Sequence, residues 1–97
     1  MNQDFNRLLV KRYKGLYKRN FFFECGDGWF LPIWHASEKL SKFRIRADQV
    51  KEKFGGIRFY ISSTKKGYVI PKEVDEIIAE LETQCWRLDE HFGTDKP

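Results

Sequence analysis

Apolar side chains recur at helical spacing in three stretches of the chain. The first stretch predicts an N-terminal helix that continues past Gly15 to Tyr17, with Asp4 as a capping or first-turn acid. The third stretch, at about 71 to 90, is the most regular, because its apolar positions follow Ile70 at offsets of 4, 7, 8, 11, 15 and 18. This periodicity predicts a long amphipathic helix near the C-terminal end of the chain.

The second helical stretch follows a turn made by Gly26, Asp27 and Gly28. Two glycines around an aspartate favour a turn, and Asp27 stands where the N-cap of the next helix belongs. Pro32 is compatible only with the first turn of a helix, which places the helix start near residues 28 to 31. The apolar face of this helix comprises Trp29, Phe30, Ile33, Trp34, Ala36, Leu40 and Phe43.

Beyond the second helix the pattern changes from helical spacing to alternation. Apolar and polar residues alternate from Ile57 to Ile61, which is typical of a half-buried strand. The segment Phe54–Gly56 predicts the turn of an antiparallel hairpin, with strands at about 45 to 53 and 57 to 63. Because two strands alone are marginal, residues 21 to 25 are a candidate third strand.

The order of elements is therefore helix, short strand, helix, hairpin, helix, and the predicted fold class is α+β. With 97 residues, 41% of them hydrophobic, and no linker-like segment, the chain is expected to form a single domain over residues 1 to 97. We expect an antiparallel hairpin or three-stranded sheet packed against the helices, with the last helix covering one face of the sheet.

The cellular setting follows from what the sequence lacks. The longest apolar run, Trp29–Trp34, is far shorter than the about 20 residues that span a bilayer, so no membrane partner is expected. The polar start Met1–Asp4 is unlike a signal peptide. We therefore expect a cytoplasmic location, where Cys25 and Cys85 stay reduced.

Charge is distributed unevenly along the chain, although the net charge is only +4. Residues 1 to 68 carry 15 basic and 6 acidic side chains, a balance of +9, whereas residues 69 to 97 carry 3 basic and 8 acidic ones, a balance of −5. On the first helix, basic side chains at spacings of three and four predict one stripe, formed by Arg7, Lys11, Lys14 and Lys18. Such a stripe is found on surfaces that bind phosphates or an acidic protein, and more often on an ordinary solvated helix face.

The predicted hairpin holds a second group of cations, interleaved with aromatic residues. Lys51 and Lys53 share one face of the first strand, Arg58 and Tyr60 share one face of the second, and Phe54 stands at the turn. Sheets that carry aromatic side chains beside Lys and Arg stack bases and hold phosphates. The structural alternative is that Phe54 belongs to the core, Tyr60 is half-buried, and the cations are solvated or pair with the acidic last helix.

The sequence offers little for catalysis or metal binding. Cys25, His35, Cys85 and His91 show none of the paired spacings of a zinc site, and neither a GxSxG motif nor a P-loop occurs. We therefore predict no catalytic residues, no metal and no cofactor. The enzymatic alternative is a small hydrolase or nuclease that uses Asp27 and His35.

Two segments resemble motifs of a family of small proteins common in phage and prophage genomes. Residues 24 to 29, ECGDGW, resemble the first motif, and residues 49 to 60, QVKEKFGGIRFY, resemble the second, QVKEKFGGLRFY. The resemblance covers roughly residues 20 to 93 and assigns no activity. It implies a phage-related protein in the host cytoplasm, and short genes of this kind often encode inhibitors of host machinery or host defence that act by stoichiometric binding.

The last part of the family pattern is only half kept in this chain. Members often end in Cys-Glu-x-Cys-Gly, which Glu90 and Gly93 match, whereas Asp89 and Phe92 stand in place of both cysteines. The resemblance therefore implies no metal knuckle here.

Together these patterns predict a non-enzymatic binding protein whose basic surface meets an acidic protein, a nucleic acid or a nucleotide. A protein partner would use exposed aromatic anchors such as Trp34 or Tyr13. The further alternative, a phage structural or assembly protein, would form homo-oligomers. The candidate binding residues are Asp27, Trp29, Lys51, Lys53, Phe54, Arg58, Tyr60, Arg7, Lys11 and Lys14. One pocket for an anionic ligand is expected to be rimmed by Asp27, Trp29, Lys51, Lys53, Arg58 and Tyr60.

Overall fold

The computed structural model of the protein describes all 97 residues. It contains three α-helices and one β-hairpin, joined by turns and loops. The elements in chain order are α1 (Gln3–Arg12), α2 (Phe30–Leu40), β1 (Ile45–Lys53), β2 (Gly56–Ser63) and α3 (Lys72–Arg87). This order confirms the predicted α+β class and the long C-terminal helix. None of the helices combines the length and the apolar run that crossing a bilayer requires.

α1 begins as its sequence indicates and ends earlier. Asp4 lies in the first turn, while the cap is Asn2, whose side chain accepts a hydrogen bond from the N–H of Phe5 at 2.8 Å. The predicted continuation to Tyr17 is wrong, since the helix stops at Arg12.

The segment that follows α1 contacts the hairpin. Beyond the helix the chain turns, and the carbonyl of Leu16 accepts a hydrogen bond from the N–H of Ala47 in β1 at 2.8 Å. The turns after Arg12 therefore place this carbonyl beside β1, 31 residues further along the chain. Leu16 and Tyr17 are still buried, as their apolar character requires, but they reach the core from a loop.

α2 begins at Phe30, within the predicted range, yet Asp27 does not cap it. A 3₁₀ turn over Asp27–Trp29 separates the aspartate from the helix, so that its carboxylate lies too early in the chain to reach the first helical N–H groups. The carboxylate instead accepts hydrogen bonds from Asn2, at 2.6 Å from the backbone N–H and 3.0 Å from Nδ2.

β1 and β2 pair antiparallel around the predicted turn. The two turn residues, Phe54 and Gly55, have φ values of 53° and 81°, the type I′ geometry that matches the twist of a two-residue hairpin. The candidate third strand, residues 21 to 25, contributes only one parallel bridge, from Glu24 to Lys51. The sheet therefore has two strands.

The core is one cluster of 19 buried hydrophobic side chains. Trp29, Tyr17 and Phe23 are the largest of those that are fully buried. α3 packs against both α2 and β2 and buries Val74, Leu81 and Cys85. The apolar face predicted from the spacing of the last helix is therefore the face that the structure buries.

α3 ends at Arg87, three residues before the predicted end. Leu88 is already extended and forms an isolated antiparallel bridge with Asp95, so the chain folds back on itself. This C-terminal segment, residues 88 to 97, lies against the Gly26–Gly28 turn. The Glu90 carboxylate accepts a hydrogen bond from the N–H of Gly26 at 2.8 Å, and the Glu90 carbonyl accepts one from Gly28 at 2.7 Å.

Candidate functional site

An open groove of about 780 Å³ lies between α1 and the segment that follows it, residues 13 to 22. Its walls carry no acidic side chain and four exposed cations: Arg7, Lys11, Lys14 and Arg19. Only Arg7 takes part in an ion pair, with Asp4 at 3.9 Å, and a contact between two such exposed groups contributes little. The potential in this basic groove is therefore positive, and an anionic group would meet cations on both walls.

The floor of the basic groove is apolar and fixed by the core. Phe21 is 4% exposed and packs against the rings of Tyr17 and Phe23, with centroid distances of 5.1 Å and 4.9 Å. The Asn6 side chain donates to the Phe21 carbonyl and accepts from the Phe23 N–H, both at 2.8 Å, and so ties α1 to the opposite wall. Phe22, between these two residues, turns outward and is 59% exposed.

The structure changes the membership of the predicted basic stripe. Arg7, Lys11 and Lys14 line one groove together, but Lys18 lies on a neighbouring depression instead. The fourth cation of the groove is Arg19, which helical spacing missed because the helix has ended before this position. A turn signal at Gly15 was the only local indication of that ending.

The cations of the hairpin share one face of the sheet, which we call the hairpin face. Lys51 stands directly opposite Arg58, and Lys53 and Tyr60 each lie two residues further along the same strands, so all four side chains project to one side. Tyr60 is 46% exposed. The hairpin therefore brings together four of the predicted binding residues.

The last helix forms no ion pair with the hairpin face, although Glu82 and Trp86 of α3 line one cleft with Arg58. The three ion pairs in the structure involve other cations, namely Arg7, Lys39 and Arg46, and Glu80 of α3 pairs with Lys39 at 3.8 Å. Lys51 and Arg58 are thus like charges opposite each other on paired strands, an arrangement that destabilises a sheet.

Phe54 is not a core residue, because its side chain is 81% exposed at the tip of the hairpin. A positive φ at a bulky residue costs on the order of 1–2 kcal/mol, and Asn, Asp or Gly normally occupies this turn position. The Glu52 carboxylate braces the turn by accepting the N–H of Gly55 at 2.7 Å, and Lys53 Nζ lies 5.6 Å from the Phe54 ring centre. The fold therefore presents an aromatic ring to solvent in a strained conformation.

The expected pocket with six rim residues does not form. Each of the principal clefts is lined by at most one of the six. Trp29 is fully buried, and its indole N–H donates to the Leu88 carbonyl at 3.1 Å. Trp29 is thus a core residue that anchors the C-terminal segment, and Asp27 is occupied with Asn2.

The largest cleft, about 1020 Å³, is lined by both Asp27 and His35, the pair considered for hydrolysis. Both carboxylate oxygens of Asp27 accept hydrogen bonds from Asn2, and these bonds, the backbone one foremost, hold the pKa of Asp27 below its usual range. A lowered pKa makes this carboxylate a weaker general base and keeps it from carrying a proton near neutral pH.

The two cysteines are buried thiols rather than nucleophiles. Burial raises the pKa of Cys25 and of Cys85 to about 12, so the thiolate is scarce near neutral pH. No group of three or more His, Cys, Asp and Glu side chains is arranged to hold a metal ion. The chemistry that the surface does offer is cationic and aromatic.

Comparison with protein-family models, curated proteins and solved structures finds no match for this chain. The resemblance to small phage proteins accordingly stays a prediction. The functional argument is carried by the basic groove and the hairpin face.

Proposed function

We propose that this protein is a non-enzymatic binding protein that holds a single-stranded nucleic acid in its basic groove. The observation that carries the proposal is the lining of the groove: four exposed cations, no carboxylate, and an apolar floor with Phe22 at its rim. Cations that track phosphates beside an aromatic ring that stacks a base are the combination used by proteins that bind single strands.

The shape of the basic groove favours a single strand over a duplex. A concave site of about 780 Å³ admits a flexible backbone together with splayed bases. A duplex is read by an element that protrudes into its major groove, and here the cations stand on the walls of a depression. A duplex would therefore contact only the rim of the groove.

The availability of aromatic anchors favours nucleic acid over an acidic protein. Protein interfaces depend on exposed aromatic anchors near their centre. The two anchors considered from the sequence are withdrawn: Tyr13 is 3% exposed, and Trp34 is half-buried with its ring packed edge-on against Tyr13 at 5.3 Å. The exposed rings of Trp86 and Phe92 lie at the largest cleft, whereas the exposed ring at the basic groove is Phe22, which has the cations of a phosphate path around it.

The resemblance to small phage and prophage proteins supports stoichiometric action. A binding protein of that origin needs no catalytic group, because occupying the strand is enough to withhold it from other proteins. In this proposal the protein acts in the host cytoplasm as an inhibitor of host machinery or host defence.

Charge reversal at Lys11 and Lys14 tests the groove. We expect the K11E/K14E variant to bind a labelled strand of about 15 nucleotides about 100-fold or more weakly at low salt, because two phosphate contacts become repulsions. The matched control is K65E/K66E, which makes the same charge change at two exposed lysines outside the groove. The control is expected to change the affinity by less than about threefold. Fluorescence anisotropy at low and moderate salt measures both.

Four results would count against the proposal. An equal loss of affinity in K11E/K14E and K65E/K66E would mean that the strand responds only to the net charge of the protein. Intact binding in K11E/K14E together with lost binding in Arg58→Ala would move the site to the hairpin. If no strand binds at low or at moderate salt, the partner would be an acidic protein. The same conclusion would follow if polyglutamate competed as strongly as the oligonucleotide.

A further inference from the structure

A shallow depression joins the basic groove to the hairpin face. Asn20, Phe21 and Phe22 line the groove and also line this depression. Tyr60 of the hairpin face lines it as well. A surface path therefore leads from the groove, across the exposed ring of Phe22, to the exposed ring of Tyr60.

The two acidic residues on this path have partners within the protein. Asp48 pairs with Arg46 at 3.6 Å and accepts a hydrogen bond from the Ser62 hydroxyl at 3.0 Å. Glu24 accepts a hydrogen bond from the Gln49 side-chain amide at 2.8 Å. Arg46 offsets the charge of Asp48, and Lys18 lines the same depression as Glu24, so the path carries no net negative charge.

The hairpin face carries two features that folding alone disfavours. Lys51 and Arg58 oppose each other and neither forms an ion pair, and Phe54 combines a positive φ with an 81% exposed ring. Asparagine at position 54 would suit the turn with less strain and no exposed ring. A ligand that neutralises the cations would remove their repulsion, and the same ligand would cover the exposed ring.

We infer that a single strand held in the basic groove continues across Phe22 onto the hairpin face. This inference rests on the proposed function, since the groove supplies the first part of the strand's path. On the hairpin face the phosphates meet Lys51, Lys53 and Arg58, and bases stack on Tyr60 and Phe54. Three exposed rings separated by cations match a ligand in which bases and phosphates alternate.

Strand length and base content separate the two parts of the path. A strand of about 5 nucleotides fills the groove only, whereas one of about 15 also reaches the hairpin face. We expect the unmodified protein to bind the longer strand about tenfold or more tightly than the shorter one, and about tenfold or more tightly than an abasic strand of equal length. With eight cations on the whole path, Lys18 of the depression included, instead of four in the groove, the slope of log affinity against log salt should be about −6 rather than about −3.

Two substitutions remove the rings while keeping the hairpin. Phe54→Asn suits the type I′ turn, and Tyr60→Thr keeps a residue that favours strands. The double variant F54N/Y60T is expected to bind the longer strand about tenfold or more weakly than the unmodified protein does, because stacking on two rings is lost while the hairpin cations remain. The matched control is Phe92→Asn, which removes an equally exposed ring that lies outside the path.

The outcomes distinguish this inference from the proposed function. If F54N/Y60T and the abasic strand leave affinity unchanged while K11E/K14E abolishes binding, the continuation is wrong and the groove stands. If Phe92→Asn weakens binding as much as F54N/Y60T does, the strand does not follow this path. If no strand binds the unmodified protein, the proposed function itself fails.

Discussion

Gly28→Ala is expected to destabilise the fold by about 3 kcal/mol or more, or to prevent folding. A Cβ at this position would lie under 3.0 Å from the carbonyl oxygens of Asp89 and Glu90 and from the backbone nitrogen of Gly93. Because these are backbone atoms, the clash can be removed only if the C-terminal segment moves away from the Gly26–Gly28 turn. Urea denaturation followed by circular dichroism measures the change in the free energy of unfolding.

Gly15→Ala is the matched control for Gly28→Ala. A Cβ at position 15 meets no atom within 4 Å, and its backbone φ is not positive. This substitution is expected to change the free energy of unfolding by less than about 1 kcal/mol, with slight stabilisation because the unfolded chain loses freedom. Equal unfolding midpoints for the two variants would mean that the C-terminal segment does not pack on the Gly26–Gly28 turn.

Trp29→Ala is expected to lower the free energy of unfolding by about 3–5 kcal/mol. Trp29 is fully buried and is among the largest side chains in the core, so its truncation leaves a cavity. It also removes the hydrogen bond from the indole N–H to the Leu88 carbonyl. Thermal and chemical denaturation of purified protein would measure the loss.

Trp29→Phe separates a core role from a binding role. It keeps most of the apolar volume and loses the indole hydrogen bond, which we expect to cost about 1–2 kcal/mol. A folded Trp29→Phe protein should bind the oligonucleotide as the unmodified protein does, because residue 29 lies outside the basic groove. Reduced affinity in the folded variant would mean that Trp29 is a binding residue after all.

Local sequence patterns predicted those elements whose limits are set by neighbouring residues. The hairpin strands end within one residue of their predicted limits, because alternation and the Phe54–Gly56 turn are both short-range signals. The predicted ends of α1 and α3 lie beyond the observed ends at Arg12 and Arg87, because the residues that follow each helix are held by contacts outside it. The carbonyl of Leu16 pairs with Ala47, and Leu88 bridges Asp95.

The same limit applies to the candidate site. Spacing brought Arg7, Lys11 and Lys14 together, but Arg19 reaches the groove only through the turns that follow α1. Asp27, a polar residue between two glycines, was predicted to be a helix cap and a binding residue. The turn that contains it packs against the C-terminal segment instead, where the N–H of Gly26 bonds to Glu90, 64 residues away. A contact of that separation leaves no trace in the local pattern of one sequence.

The central claim is that the basic groove holds a single-stranded nucleic acid. An amide chemical-shift titration of isotope-labelled protein with an unmodified oligonucleotide tests it most directly. We predict that the largest shift changes fall at residues 6 to 14 and 19 to 22, with further changes at 51 to 60, while residues 30 to 35 of the largest cleft stay unaffected. No shift changes at stoichiometric oligonucleotide, or changes confined to that cleft, would contradict the account.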